Sequence, residues 1–278
     1  MIIDRITDLI GSTPLLRLGC RGNDWTLYLK LEKFNPGGSM KDRMAQGMID
    51  DAERRGALRP GGIIVESSSG NTGTGLAMVA AERGYRFLVV VDHHAAADKI
   101  AAMRALGAEV IKVGGDGPDN RVATAEREAK AKALAESIPG AVIMMQHEND
   151  ANPESYVDTL AADLIRDLSD IDVLIGSVGT GGSLCGTAIG IKRRYPQVSI
   201  IGVEPRGSIV FGAPPGPYYQ SGTGVPGDVS VGSTVRYGTM DQGITVDDAA
   251  AFNACRFMAH RFGLLVGGSA GAVIYAAA

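Results

Sequence analysis

Apolar residues along the chain come in short unbroken runs, separated by longer stretches where they recur every three or four positions. GGIIVE (61–66) and RFLVVV (86–91) read as strands, because short β-branched runs bounded by glycine or charge suit a buried strand. A helical pattern joins them, opening near Gly73 and running to about Arg83. Residues 99–106 are helical and stop at Gly107, a glycine placed to end a helix in the left-handed conformation. AEVIKV (108–113) is a third strand, Asn120 is placed to cap a helix running to about Ser137, and AVIMM (141–145) is a fourth strand. The alternation then repeats. A helix at 153–168 precedes the strand DVLIGS (172–177), a helix at 184–195 precedes VSIIGVE (198–204), and a helix at 247–262, ended by Gly263, precedes LLVG (264–267).

Strands alternating with helices predict parallel sheets covered on both faces. Two such series predict an α/β fold of two domains, each with a largely parallel sheet flanked by helices, and a cleft between them. The least regular stretch, 205–243, is rich in glycine and proline.

Composition narrows the function. A chain of 278 residues with 45% apolar content buries one large core or two modest ones. A net charge of −4 without a lysine or arginine cluster excludes a surface built for nucleic acid or anionic membrane. Asp4 and Arg5 interrupt the N-terminal MIIDRITDLI, so it does not read as a signal peptide. No apolar run approaches the roughly 18–20 residues of a membrane span. Cys20, Cys185 and Cys255 are odd in number and form no C-x-x-C pair, which points to a reducing, cytoplasmic setting. His93, His94, His147 and His260 show no metal-ligand spacing; structural or solvated roles are expected of them, and no metal site is.

Four segments carry chemistry. In KFNPGGSMKDRMAQGMIDDA, Pro36, Gly37 and Gly38 make a turn, Ser39 reads as an N-cap and Asp42 completes a capping box. Met44, Ala45, Met48, Ile49 and Ala52 share one helical face and should be buried. Lys41 then stands in the first turn of a helix, where the dipole opposes its charge and favours a free, nucleophilic amine. A lone lysine is usually a solvated surface group; the unfavourable position counts against that here.

In ESSSGNTGTGLAMVAAERG a strand ends and a helix begins. The N–H groups there and the hydroxyls of Ser68, Ser69 and Thr72 can hold an anion such as a carboxylate, and Asn71 can bond a ring or carbonyl oxygen. A plain strand-to-helix turn is the alternative. In DVLIGSVGTGGSLCGTAIG, Gly179, Gly181 and Gly182 permit close backbone approach, with hydroxyls at Thr180 and Ser183, as a phosphate cradle requires. A dinucleotide fingerprint with Glu204 fails because Leu184 stands where a small residue is needed. Cys185 reads as a small packed residue. In LLVGGSAGA, Ser269 either caps a helix or offers its hydroxyl to a heteroaromatic nitrogen. Neither a P-loop nor a G-x-S-x-G hydrolase elbow occurs.

These segments, in this order, resemble the cysteine synthase and cystathionine β-synthase family of fold-type II pyridoxal-phosphate enzymes. The likeness runs from IGSTPLLRL (10–18) to GGSAGA (267–272), and N-P-G-G-S-x-K-D-R with S-S-G-N-T-G is the specific pair. The resemblance implies a smaller mobile domain (36–148) carrying the substrate-carboxylate loop. It implies a larger domain (1–35 with 149–278) carrying the phosphate loop, with the cofactor in the cleft. It implies that Lys41 binds pyridoxal 5'-phosphate as a Schiff base and serves as base and acid. Asn71 would contact the phenolic oxygen, Gly179, Thr180, Gly181, Gly182 and Ser183 the phosphate, and Ser269 the pyridine nitrogen. Ser68, Ser69, Asn71, Thr72 and Gln146, in MMQHENDANPESY, would hold the substrate carboxylate.

The implied reaction is β-replacement on O-acetyl- or O-phospho-L-serine through an aminoacrylate, with sulfide as nucleophile, in a cytoplasmic homodimer. Related readings are a synthase using an amine or amino-acid nucleophile for a diaminopropionate-type product, a serine or threonine dehydratase, and a non-catalytic binding homologue. Dehydratases usually carry histidine where Thr72 stands. SGTGVPGDVS (221–230) replaces a family segment near the active-site mouth, and Arg236 beyond it is a candidate for a nucleophile's carboxylate. GSIVFG (207–212) and VVVDHH (89–94) look closer to the branch that uses O-phosphoserine. Relatives continue for several more elements past the helix in which Ala278 stands.

Overall fold

The computed structural model describes residues 2–19, 25–114 and 123–278, so the candidate cap Asn120 and Cys20 lie outside the described residues. The chain divides into two compact units, Met1–Ser155 and Tyr156–Ala278.

The first unit opens with an antiparallel hairpin, β1 (Leu15–Gly19) and β2 (Thr26–Lys30), followed by helix α1 (Lys41–Arg54). Then come β3 (Ile63–Ser67), α2 (Asn71–Arg83), β4 (Arg86–Val91), α3 (Ala97–Ala105), β5 (Glu109–Lys112), α4 (Thr124–Ser137) and β6 (Ala141–Ile143). The four later strands form a parallel sheet in the order β5-β4-β3-β6. Val65, Leu88, Val90 and Ala131 form a core cluster where α4 covers this sheet, and α1 packs on α2 on its own apolar face. The predicted face of α1 (Met44, Ala45, Met48, Ile49, Ala52) is buried. Strand order reverses between β3 and β6. Loops leaving the carboxyl ends of strands at such a point enclose the crevice where ligands bind in open α/β sheets.

Helix α5 (Ala151–Val157) leads into the second unit. There α6 (Leu160–Asp167), β7 (Val173–Ser177), α7 (Gly182–Arg194), β8 (Ser199–Pro205), β9 (Gln242–Val246), α8 (Asp248–Phe262) and α9 (Gly268–Ala277) follow. The sheet is parallel, β7-β8-β9, with α9 packed against all three strands and α8 against α9. Val203, Val246, Ala251 and Ala272 form its core cluster.

The predicted α/β class with parallel, helix-covered sheets is the class found. Several local expectations are corrected. Residues 264–267 are not a strand: Gly263 turns left-handed, and the Leu264 N–H returns to the Met258 carbonyl, so the segment is taken up in ending α8. The helix expected at 153–168 is broken at Asp158 and Thr159 into α5 and α6. Strand β9 was hidden because Gln242–Val246 is mostly exposed and borders the irregular stretch. Ser39 is not the N-cap of α1. That position falls on Met40, while the Ser39 hydroxyl accepts the Lys41 N–H at 3.2 Å and Asp42 reaches back to the Gly37 N–H at 2.6 Å.

A buried ion pair fixes the start of α1. Arg43 donates twice to Glu32, at 2.8 and 2.9 Å, and Thr13 and Asn35 also donate to that carboxylate. Arg43 and Glu32 expose only 1% and 7% of their side chains. Removing one partner leaves a buried charge uncompensated, which costs about 3–5 kcal/mol. Glu32→Ala should lower the unfolding free energy by about that amount in a urea titration with unchanged slope. A loss below about 1 kcal/mol would show that the pair does not anchor the helix.

Candidate active site

Lys41 is the first residue of α1 and Asn71 the first of α2. The two first turns lie side by side because Gly75 has no side chain: a Cβ there would stand 3.2 Å from both the Lys41 carbonyl oxygen and the Ala45 Cβ. Among the described residues no side chain or carbonyl bonds the Lys41 amine, and burial lowers its pKa from 10.5 to about 8. The Lys41 side chain keeps some open surface, yet its charge is seated deep enough for desolvation to dominate. His147 lies within its electrostatic reach. Burial first, then the charges of Lys41 and Arg127, push that imidazole down to about 4, so it is neutral near pH 7.

The loop from β3 into α2 is held from three directions. The Ser68 hydroxyl accepts the N–H groups of Gly73 and Gly70 at 3.0 and 3.3 Å, so it caps α2. Ser69 Oγ donates to Asp92 Oδ1 at 3.2 Å and accepts from Arg127 Nη1. Thr72 Oγ1 donates to Gln146 Oε1 at 2.7 Å, and Gln146 Nε2 donates to the Ser67 carbonyl at 3.3 Å. The structure therefore brings together Ser68, Ser69, Thr72 and Gln146, from the loops after β3 and β6 where strand order reverses. The Asn71 amide has no internal hydrogen bond among the described residues.

In the second unit the glycine-rich loop after β7 precedes α7, whose N-cap is Gly181 at φ +81°. A Cβ at Gly181 would stand 2.7 Å from the Val235 Cα, so only glycine fits. Gly179 differs in its surroundings. A Cβ at Gly179 would meet the Thr223 Cα at 3.4 Å, an ordinary van der Waals contact, and its φ is not left-handed. The protein's own packing therefore demands glycine at Gly181 and not at Gly179. Carbonyls of the loop are taken up behind it. Val178 O accepts from Gly224 N at 2.8 Å and Thr223 Oγ1 at 3.1 Å, and Thr180 O accepts from Thr234 Oγ1 at 2.6 Å. The Gly182 N–H, first of α7, donates to Thr180 Oγ1 at 3.3 Å, and the N-cap Gly181 has no side chain to cap the turn, so a helix N-terminus with the Thr180 and Ser183 hydroxyls beside it is a place that suits phosphate. Segment 221–236 is thus the brace of this loop. Arg236 is tied there through its main chain, its N–H meeting Cys185 Sγ at 3.4 Å, and Cys185 is buried as a packed residue. Ser269, second residue of α9, does not cap it; the cap is Gly267, and the Ser269 hydroxyl has no internal partner among the described residues.

Sequence reasoning missed Glu66, Asp92, Arg127, Thr223 and Thr234, which position the loops. A carboxylate inside the apolar run GGIIVE was the one visible signal among them.

The chain matches a protein-family model described as pyridoxal-phosphate dependent enzyme over residues 6–278. It is 54% identical over 278 residues to a "Putative cysteine synthase" of Sinorhizobium fredii, covering all of this chain and 82% of that protein. It is 40% identical over 283 residues to a "Probable cysteine synthase" of Bacillus subtilis, covering 99% of this chain and 88% of that protein. Its fold is similar to the O-acetylserine dependent cystathionine beta-synthase of Helicobacter pylori, with TM-score 0.92, 36% identity, and coverage of 100% and 90% of the two chains.

The seat of Lys41 has a thermodynamic signature. Its folded pKa lies below the unfolded value, so the charged amine costs stability below about pH 8. That cost fades as pH climbs from 8 toward 10.5, where the unfolded chain loses the same proton. In protein stripped of small ligands, Lys41→Met should raise the melting temperature by a few degrees at pH 7, with the gain shrinking above pH 8. A gain that is absent, or that does not change with pH, would mean the amine is solvated.

Proposed function

Since the chain belongs to the pyridoxal-phosphate dependent enzyme family, we propose that it makes L-cysteine from an O-activated L-serine and sulfide, with O-acetyl-L-serine as the donor. The coarser statement, pyridoxal-phosphate-dependent β-replacement on serine derivatives, follows from its relatives. The observation that carries the reading is the Lys41 amine, seated without a counter-ion among the described residues at the head of α1 and held near pKa 8.

The residues fit the cofactor. Lys41 would hold it covalently. The N–H groups and hydroxyls of Gly179, Thr180, Gly181, Gly182 and Ser183 would hold its phosphate, and Asn71 and Ser269 would meet its ring oxygen and nitrogen. When bound, pyridoxal phosphate supplies an electron sink that weakens the Cα–H and Cβ–substituent bonds of an attached amino acid. The same assignment divides the chain by role. Residues 36–148 carry the substrate loop in a smaller mobile domain, and 1–35 with 149–278 carry the phosphate loop. It also carries a cytoplasmic, homodimeric setting.

The chain's own groups then have definite tasks. The N-terminus of α2 and the Gln146 amide bind and orient the substrate carboxylate, with the Ser69 and Thr72 hydroxyls turning to it from Asp92 and Gln146; Ser68 holds the turn. Released from the cofactor, Lys41 Nζ takes the Cα proton and later returns one. A pKa of about 8 leaves about one tenth of the amine neutral at pH 7, against about one in 3,000 at pKa 10.5. Ser269 is neutral and supplies no charge to keep a proton on the ring nitrogen, which favours loss of the β-substituent over chemistry confined to Cα.

Wild-type enzyme should release cysteine from O-acetyl-L-serine and sulfide, and Lys41→Ala should lower turnover by about 10²–10⁴-fold or more. O-phospho-L-serine is the competing donor in the same assay. Pyruvate formation that ignores added sulfide would identify a dehydratase instead. No turnover of any activated serine by protein that binds the cofactor would identify a non-catalytic homologue.

A further inference from the structure

Glu66 is the next-to-last residue of β3 and almost fully buried, yet none of the tasks above uses it. Its two oxygens are divided between two segments. Oε1 accepts the Ser67 N–H at 2.8 Å, at the root of the substrate-carboxylate loop, and Oε2 accepts the Gln146 N–H at 3.3 Å, beyond β6. One carboxylate therefore ties together the two loops that leave the sheet at its reversal point.

The Gln146 side is strained and heavily pinned. Met145, just before it, sits at φ +52°, a left-handed conformation that costs a non-glycine residue of order 1 kcal/mol and persists only where its surroundings impose it. Four groups impose it here. Glu148 N and Asn149 N bond the Met145 carbonyl at 2.8 and 2.9 Å, Asn149 Nδ2 bonds the Met144 carbonyl at 2.8 Å, and Asn152 Nδ2 bonds the Gln146 carbonyl at 2.7 Å. The twist at Met145 is what lets the Gln146 main chain face Glu66 while its side chain reaches Thr72 and the Ser67 carbonyl. Burying a carboxylate is unfavourable, and this shows in a pKa raised from 4.5 to about 7, with desolvation the largest cause and the two N–H groups opposing it. A group so unfavourably placed is kept where an apolar one would not serve.

We propose that Glu66 is a positioning residue for the amino-acid substrate, clamping the Ser67 and Gln146 main chains together so that Thr72 and Gln146 are held side by side at the carboxylate site. This rests on the reading of those two loops as the carboxylate site. Glu66 touches no reacting atom. Its effect falls on binding before the transition state, and so on KM rather than on kcat.

The holoenzyme tests this at pH 8, where Glu66 is largely ionised, with O-acetyl-L-serine varied and sulfide fixed. Glu66→Gln keeps the shape but turns one acceptor into an N–H donor facing an N–H. It should raise the KM for O-acetyl-L-serine about tenfold with kcat within about threefold, and leave the cofactor's absorbance band unchanged. Gln146→Ala is measured beside it. A raised KM in Gln146→Ala with an unaltered KM in Glu66→Gln overturns the clamp and spares the loop reading. An unaltered KM in both overturns the loop reading and the clamp with it. A fall in kcat equal to the change in kcat/KM, or loss of the cofactor band in Glu66→Gln, also overturns the clamp. If Glu66→Gln does not fold, Asn152→Ala, which frees the Gln146 carbonyl from the far side, carries the same expectation and the same reversals.

Discussion

The structure turns on keeping an amine desolvated at the head of a helix and, among the described residues, without an internal partner. Lys41 is opposed there by the dipole of α1 and by desolvation, and nothing within the chain compensates it among the described residues. Such a position holds only if the backbone around it is fixed by other means. The Glu32–Arg43 pair, two residues along, supplies that, aided by Thr13, Asn35 and the return of Asp42 to the Gly37 N–H. The ion pair fixes the backbone beside the amine: the first turn of α1 cannot rotate without breaking a buried bidentate contact.

Three other helix starts repeat one theme with different occupants. The head of α2 is closed partly by Ser68, and beside it Thr72 is bonded to Gln146. At the head of α7 the Gly182 N–H goes to Thr180 Oγ1, and Gly181 stands where a Cβ would strike Val235. At α9 the cap is also a glycine, leaving the Ser269 hydroxyl unused. Helix N–H groups without internal partners are taken up by water or by a ligand, and anions are the ligands that geometry and dipole both favour.

Much of this was legible in the sequence because the signals are local. A strand followed by small residues and then an apolar helix marks the loops at 67–72 and 178–183, and the first-turn place of Lys41 follows from the turn before it. The buried face of α1 follows from its period alone. What was not legible depends on tertiary partners. Ser39 carries every mark of an N-cap, yet the helix starts one residue later because Asp42 turns back to Gly37. LLVG is as apolar as a strand, but its first N–H closes α8. Gly179 and Gly181 look alike in the sequence, and only the approach of Val235 makes the second indispensable. The role of 221–236 as a brace behind the glycine loop rests on Thr223 and Thr234, which no local pattern distinguishes from ordinary loop residues. Glu66 takes its meaning from Gln146, 80 positions away.

The central claim is that Lys41, and no other lysine, is the residue to which the cofactor is bound. Lys30 is already engaged, its Nζ donating to the Thr13 carbonyl at 2.6 Å, and Lys33 lies in a short turn before the glycine pair. Borohydride reduction of the holoenzyme makes that link permanent, and peptide mapping by mass spectrometry then locates it. The account predicts a single modified peptide with the cofactor's mass on Lys41. The mass on Lys30 or Lys33, with Lys41 unmodified, would contradict it.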